Sequence, residues 1–278
     1  MSKVSFLDKR VWKIFLQTTA VVSSTISLAV IFFDIPSQCK VWAALALVTL
    51  LALFYVGVWL WANRLNSIKI SVEGSTVLIK VGDIFKQDGL KVIAFNEYFD
   101  TQVDNSVISE HSLNGIFIKK HLDAPVSELD KHIERYGFSA GEFIEENSTR
   151  RQGKKKKYQL GSICVYKDFL LTAFSKFNDN NMASLTMPEY LEFMINFWDR
   201  VNSVYALKSV STAIFGSGIT RIKGHKNIAD EDLLKIMLWT FRISEMRFKH
   251  PAKLTIVILK DKIDQINLLD IKSARNGV

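Results

Sequence analysis

The sequence predicts a two-helix transmembrane hairpin followed by an α/β domain, a three-layer α/β/α sandwich around a mixed sheet. Two uncharged, apolar runs of membrane-spanning length lie close together near the N-terminus. Behind them, short apolar runs bounded by turn residues read as buried strands. In the second half these runs alternate with amphipathic helical patterns, the arrangement that puts helices on the faces of a largely parallel or mixed sheet.

The hairpin comes first. From Ile14 to Phe33 there are 20 consecutive uncharged residues, and from Val41 to Asn63 there are 23. A helix of ~20 apolar residues crosses the hydrocarbon core while bonding all of its own backbone. Trp12, Trp42, Trp59 and Trp61 sit at the ends of these runs, where interfacial tryptophans are expected. The spans are therefore placed at 14–33 and 41–63, within an N-terminal segment 1–63, and the remainder, 64–278, is assigned to one cytosolic domain. Lys3, Lys9, Arg10 and Lys13 outnumber Asp8 before the first span, and Arg64 and Lys69 follow the second. Basic flanks mark the cytoplasmic side. Both termini are thus expected in the cytosol, with an outer turn at Ile35-Pro36-Ser37 and an inner-membrane, multi-pass location. Thr18, Thr19, Ser23, Ser24, Thr25 and Ser27 spread around the first span, which suits helix packing in a crowded assembly.

In the soluble part, Ser67 to Ile79 reads as two strands about the turn Glu73-Gly74-Ser75, and Lys91 to Phe95 as a buried strand. Residues 96–115 read as a polar loop or short helix. Arg150 to Lys157 places six basic residues in eight, much of the excess of 36 basic over 28 acidic groups, and reads as a loop tip suited to anionic headgroups. Without interleaved aromatics it makes a poor nucleic-acid site. Gly161 to Phe174 suggests a strand pair turning at Lys167-Asp168. Thr186-Met187-Pro188-Glu189 has the form of a capping box before a helix carrying Leu191, Met194, Trp198, Val201 and Tyr205 on one face. Val210 to Phe215 reads as a strand, Asp230 to Phe248 as a second amphipathic helix, and Leu254 to Leu259 as the last strand.

The chemistry-bearing candidates leave the carboxyl ends of strands, where open α/β sheets bind ligands. Phe215-Gly216-Ser217-Gly218-Ile219-Thr220-Arg221 follows a buried strand, and its glycines let the backbone approach a ligand and its amides face an anion. Asn96, Glu97 and Tyr98 open the loop after Lys91 to Phe95. Asp83, followed by Ile84, supplies a carboxylate after an earlier strand. Other chemistry lacks a signature. His111, His121, His132, His225 and His250 have no ligand-like spacing, and there is no C-x-x-C, Walker motif or nucleophile elbow. No catalytic or metal-ligating residue is nominated. Cys39 and Cys164 are expected on opposite sides of the membrane and unpaired.

On Gly82-Asp83-Ile84, Ala94-Phe95-Asn96 and Gly216-Ser217-Gly218-Ile219, in that order, the chain resembles the macro domain family, which binds ADP-ribose and related nucleotides. The resemblance implies that Asp83, with Ile84, contacts the adenine amine. It assigns Asn96, with Glu97 and Tyr98, to the distal ribose region, and Gly216 to Ile219, continued by Thr220 and Arg221, to the diphosphate. Family members that hydrolyse ADP-ribose linkages carry a second Asn three residues after the first, where this chain has Phe99. Binding without catalysis is therefore expected.

The layout of two spans before a divergent macro domain is similar to that of membrane-bound effectors of Thoeris antiphage defence. This similarity implies a signal derived from ADP-ribose and made by a TIR-domain partner, sensed by the macro domain, with a homo-oligomer disrupting the bilayer and killing the cell. It implies no cofactor beyond that ligand. The alternatives are a membrane-tethered ADP-ribosyl hydrolase and a membrane-anchored scaffold using the basic loop.

Overall fold

A computed structural model describes residues 3–32, 36–223, 228–245 and 252–273. The chain divides into two compact units, Met1–Ile68 with Asp264–Val278, and Lys69–Ile263.

The first unit contains helix α1 (Lys9–Phe32) and helix α2 (Ser37–Arg64). Both are long and apolar enough to cross a membrane, with mean hydropathies of 1.8 and 2.4. Phe33 to Ile35, the end of the first expected span and the start of the expected turn, lie outside the described residues. The outward faces stay apolar and exposed, among them Val30, Ile31, Phe32, Val41, Trp42, Val48 and Leu50. The hydroxyls of Ser24, Thr25 and Thr49 donate to carbonyls four residues earlier in their own helices. They thereby satisfy themselves within one helix, as Ser and Thr do in apolar surroundings.

The unit is pinned at the polar ends of the helices. Trp59 Nε1 donates to the Val4 carbonyl at 3.0 Å, Tyr55 donates to the Phe6 carbonyl, and the Phe6 and Tyr55 rings meet edge to face. The sequence reading gave all of 64–278 to one domain, whereas Asp264–Val278 groups with the N-terminal helices. In the short C-terminal helix Leu268–Ser273, Leu269 joins the cluster of Val4, Val11, Tyr55, Val58 and Ala62. Arg10 bonds Asp270 and Ser273, and Asn267 donates to Asp8 at 3.1 Å. An apolar stripe this short is too weak a signal to separate from the preceding strand by pattern alone.

The second unit runs β1 (Ser67–Val72), β2 (Ser75–Val81), β3 (Leu90–Asn96), α3 (Leu113–Ile116), α4 (Val126–Arg135), β4 (Phe143–Glu146), β5 (Lys156–Tyr158), β6 (Ile163–Tyr166), β7 (Phe169–Phe177), β8 (Ala183–Thr186), α5 (Met187–Val204), β9 (Val210–Ala213), β10 (Arg221–Lys223), α6 (Asp230–Glu245) and β11 (Lys253–Ile258). The main sheet is nine-stranded, in the order β1-β2-β11-β9-β3-β7-β8-β10, with β6 also on β7. β2, β11, β9, β3 and β7 are mutually parallel, and β6 and β8 run antiparallel to β7. The sheet is therefore mixed, as expected.

Alternation along β7 explains the three layers. Leu171 and Ala173 point into a cluster with Ile93, Phe95, Phe117, Leu129 and Ile133, covered by α3 and α4. Phe174 faces the opposite way, onto Phe193 of α5 at 4.8 Å and Phe215 at 5.2 Å. α5 starts at the expected capping box. Thr186 Oγ1 accepts from the Glu189 amide at 3.4 Å, and the Glu189 carboxylate accepts from the Thr186 amide at 2.7 Å. The Lys176 ammonium, bonded to the same carboxylate, holds Glu189 down at about 2. Trp198 Nε1 donates to Thr240 Oγ1 at 3.2 Å, tying α5 to α6.

Two features extend the sequence reading. Residues 124–136 carry α4, for which the sequence offers little signal: its ten residues are rich in charge and bury only Leu129 and Ile133, with Val126 left exposed. Arg150 to Lys155 lie in the loop that joins β4 to β5, as expected, and Lys156 and Lys157 begin β5, but the loop is not wholly solvated: Arg150 turns inward. The last three residues of the expected helix to Phe248 lie outside the described residues, as do His225 and His250.

Candidate functional site at the carboxyl edge of the sheet

The parallel strands end on one edge, so the segments after β2, β3, β7, β9 and β11 gather there. β9 and β7 flank β3 on its two sides, which puts loop 96–101 at the centre of this edge.

After β2, the amide of Gly82 donates to the Ile258 carbonyl at 3.0 Å, fixing this segment to the end of β11. Asp83 caps a single 3₁₀ turn, accepting from the Phe85 amide at 2.9 Å, and its half-exposed carboxylate keeps its other oxygen for another donor. Ile84 is buried as packing. The Phe85 ring stacks on His121 at 3.7 Å.

After β9 comes the glycine loop. Gly216 takes φ +86°, a left-handed conformation that suits glycine, and a Cβ there would sit 3.3 Å from Leu233. Phe215 is held from both sides: Tyr190 Oη donates to its carbonyl at 3.0 Å, and its amide donates to Met237 Sδ. The Ser217 amide and hydroxyl both turn back to the Ile214 carbonyl. Among the described residues nothing lies within 4 Å of where a Cβ on Gly218 would stand, and Ile219 is 57% exposed. A rigid base thus presents a bare, open backbone at Gly218, Ile219 and Thr220. Arg221 begins β10, but its side chain lies outside the described part of the structure.

After β3, the loop differs from expectation. Asn96 is buried, and its side-chain amide is engaged within its own loop through Oδ1 and one of the two Nδ2 hydrogens. Oδ1 accepts from the Tyr98 and Asp100 amides at 3.1 and 3.2 Å, and Nδ2 donates to Asp100 Oδ2 at 2.8 Å. Its role in this structure is to brace its own loop. Phe99 stands at φ +50° with its ring fully buried against Tyr158 and Phe138. Such a backbone conformation is uncommon for a bulky residue and persists only where the surroundings dictate it.

Glu97 is also buried. Oε1 accepts from the Phe177 amide at 3.2 Å, Oε2 has no hydrogen-bond donor, and Lys157 Nζ stands 3.8 Å away. Burial pushes the Glu97 carboxyl up, against the opposing pull of Lys157. The sign follows directly. A carboxyl raised on folding holds its proton longer in the folded state than in the unfolded one, so its ionisation removes stability as pH rises above the ordinary range. Glu97→Gln is therefore expected to gain on the wild type in melting temperature between about pH 4 and about pH 8. A constant difference across that interval contradicts the assignment.

The residues missed by sequence reasoning lie beneath and beside Tyr98. Asp100 is fully buried and accepts from Arg150 Nη1 at 3.1 Å, Arg150 Nη2 at 2.6 Å and the Lys154 amide at 2.6 Å. The Arg150 guanidinium lies over the Tyr98 ring, 3.9 Å from its centroid. A cavity of about 670 Å³ opens here, lined by Tyr98, Ser106, Asn147, Thr149, Arg150, Arg151, Gln152, Phe177 and residues 178–181. Of the residues expected to bind ligand, Tyr98 alone lines it. Asn96 and Glu97 lie behind Tyr98, while Asp83, Ile84 and the glycine loop belong to other strand ends along the same edge. A run of six cations in eight residues carried one usable hint: a cation that folds inward needs a buried carboxylate, and Asp100 lies within loop 96–101 itself. Among the described residues no group of three or more His, Cys, Asp or Glu side chains is placed to hold a metal ion.

Comparison with known proteins places these loops in a family context. A family model described as the macro domain of Thoeris protein ThsA matches residues 77–259. The Thoeris protein ThsA of Bacillus amyloliquefaciens (strain Y2) is 38% identical over 263 residues, covering 92% of this chain and 87% of that protein. Among solved structures, a point mutant of the Oceanobacillus iheyensis macrodomain matches with a TM-score of 0.44 at 16% identity, over 75% of this chain and 91% of that one. The same macrodomain with ADP matches at 0.39 and 16%, over 75% and 94%.

Proposed function

The chain belongs to the ThsA macro-domain family of Thoeris proteins, and from that membership we propose that it is a membrane-bound effector of antiphage defence whose Lys69–Ile263 unit senses an ADP-ribose-derived nucleotide. The observation that carries this reading is the glycine loop. It follows a central parallel strand, rests on a rigid base, and leaves Gly218 facing open space. Backbone amides in such a setting take a diphosphate. Asp83, at the end of β2, retains a free carboxylate oxygen for the exocyclic amine of adenine.

In this reading α1 and α2 span the inner membrane with both termini cytosolic. The signal comes from a TIR-domain partner, and ligand-bound chains associate so that their spans breach the bilayer. A ligand shifts such an equilibrium only by its preference for the active state. Co-expression with the signal-producing partner is expected to depolarise cells, and Gly218→Trp to abolish the effect. Depolarisation that persists in that variant would place the ligand elsewhere.

Topology has its own test. Cys39 is exposed beside the start of α2, whereas Cys164 is buried and its thiol is pushed up to about 12 by burial. A membrane-impermeant maleimide added to intact spheroplasts should label Cys39 and leave Cys164 unmodified. Labelling of Cys39 only after lysis reverses the orientation.

The reading includes no turnover. Phe99 stands where the hydrolytic members place their second Asn, and its ring is enclosed. Steady release of ADP-ribose from an ADP-ribosylated protein would overturn this in favour of a tethered hydrolase. The scaffold alternative loses ground for a different reason. Arg150, Lys154 and Lys157 of the basic run pair with Asp100, Asp130, Glu97 and Glu145 of the same chain.

A further inference from the structure

The first ligand loop does not hold its own shape. Asn96 closes loop 96–101 on itself, yet the closure ends on Asp100, a fully buried carboxylate. An unpaired charge there is strongly unfavourable. Its counter-charge comes from fifty residues further along the chain. Arg150 meets Asp100 with both ends of its fork, stacks on Tyr98, and donates onward to the Lys154 carbonyl at 2.6 Å and to Asn181 Oδ1 at 3.1 Å in the turn after β7. Lys154 adds its amide to Asp100, and its ammonium reaches the Phe99 carbonyl at 2.9 Å and Asp130 at 2.7 Å. The approach is so close that a Cβ on Gly153, already at φ +81°, would lie 2.5 Å from Asp100 Oδ1.

We infer that Arg150, acting through Asp100, is the positioning residue that sets loop 96–101 for the nucleotide, and that segment 147–158 is an outer wall of the site which bound ligand holds in place. This rests on the nucleotide-sensing reading above. In this proposal the segment exchanges between the docked arrangement of the structure and a released one that lacks the Arg150–Asp100 pair. A buried ion pair adds little net stability but fixes a single geometry. Docking both braces the loop and supplies one wall of the cavity beside Tyr98. A ligand that requires the docked loop must, by reciprocity, favour docking.

The test uses the full chain in detergent with ADP-ribose as the probe. Two quantities are measured well below the melting transition: affinity by calorimetry, and the rate of tryptic cleavage within 147–158 with and without saturating ADP-ribose. In the wild type the nucleotide is expected to slow that cleavage at least about fivefold. Arg150→Lys keeps the charge but loses the planar fork and the stacking, and should weaken ADP-ribose at least about tenfold while speeding cleavage of the free chain. A folded Arg150→Lys chain with wild-type affinity overturns the inference, whatever its melting temperature. So does wild-type binding that leaves cleavage unchanged. If Arg150→Lys does not fold, Asn181→Gly, which suits the φ of +56° there, removes the two ties of segment 147–158 to the turn after β7, from Arg150 Nη2 to Asn181 Oδ1 and from Asn181 Nδ2 to Gln152 Oε1. It should give faster cleavage and weaker binding in the same sense, and no change in either overturns the proposal. A wild-type chain that binds no ADP-ribose removes the nucleotide reading itself, a result distinct from these.

Discussion

Asp100→Ala is expected to lower the unfolding free energy by about 3–5 kcal/mol, measured by denaturant titration of the detergent-solubilised chain. The size follows from what the substitution leaves behind. Arg150 has an 8% exposed side chain whose fork is filled by Asp100, and the remaining oxygens near it, the Lys154 carbonyl and Asn181, are neutral. Removing the carboxylate strands a buried guanidinium, and the Lys154 amide and Asn96 Nδ2 lose their acceptor as well. Asp100→Asn should cost less, because an amide oxygen still accepts one of these bonds. A loss within a few tenths of a kcal/mol for Asp100→Ala would mean that the clamp is open to water in solution.

Trp198→Ala is expected to cost a similar amount, about 3–5 kcal/mol, for an apolar reason. The Trp198 ring is fully buried, meets Phe197 at 4.8 Å and Phe241 at 5.0 Å, and donates to Thr240 at 3.2 Å. Its loss opens a cavity between α5 and α6 and removes the hydrogen bond that joins them. Trp198→Phe keeps much of the volume and forfeits the bond, so its smaller cost should approach the ~1 kcal/mol of one internal hydrogen bond. Equal losses for the two variants would assign the effect to the bond rather than the volume.

Features written in contiguous residues were legible in the sequence, and those made by distant partners were not. The helical hairpin, the Thr186 capping box, the turn at Lys167 and the strands β3 and β11 were legible because each is written in contiguous residues. The glycine loop was legible for the same reason, and its bare backbone at Gly218 is where the sequence placed it. The bracing role of Asn96 within its loop, through Tyr98 and Asp100 two and four residues on, is not announced by the residue type alone. The loop carrying the basic run was legible, but the pairing of its cations was not, because it depends on Asp100, Asp130 and Glu97, all distant in sequence. A charged run reads as solvated until the carboxylates that neutralise it are known. The C-terminal helix was missed on similar grounds: Asp270 and Leu269 acquire a role only through Arg10 and Val11 at the other end of the chain.

The most direct test of nucleotide sensing is calorimetric titration of the full chain in detergent with ADP-ribose, wild type against Gly218→Trp. Among the described residues none lies within 4 Å of a Cβ on Gly218, and its φ is not positive, so a side chain can start there without backbone strain and fill volume over the glycine loop. Saturable binding by the wild type, weakened at least about a hundredfold in a folded Gly218→Trp chain, is the expected result. Equal affinity in the two chains, or no binding by a folded wild type, would contradict nucleotide sensing at this edge of the sheet.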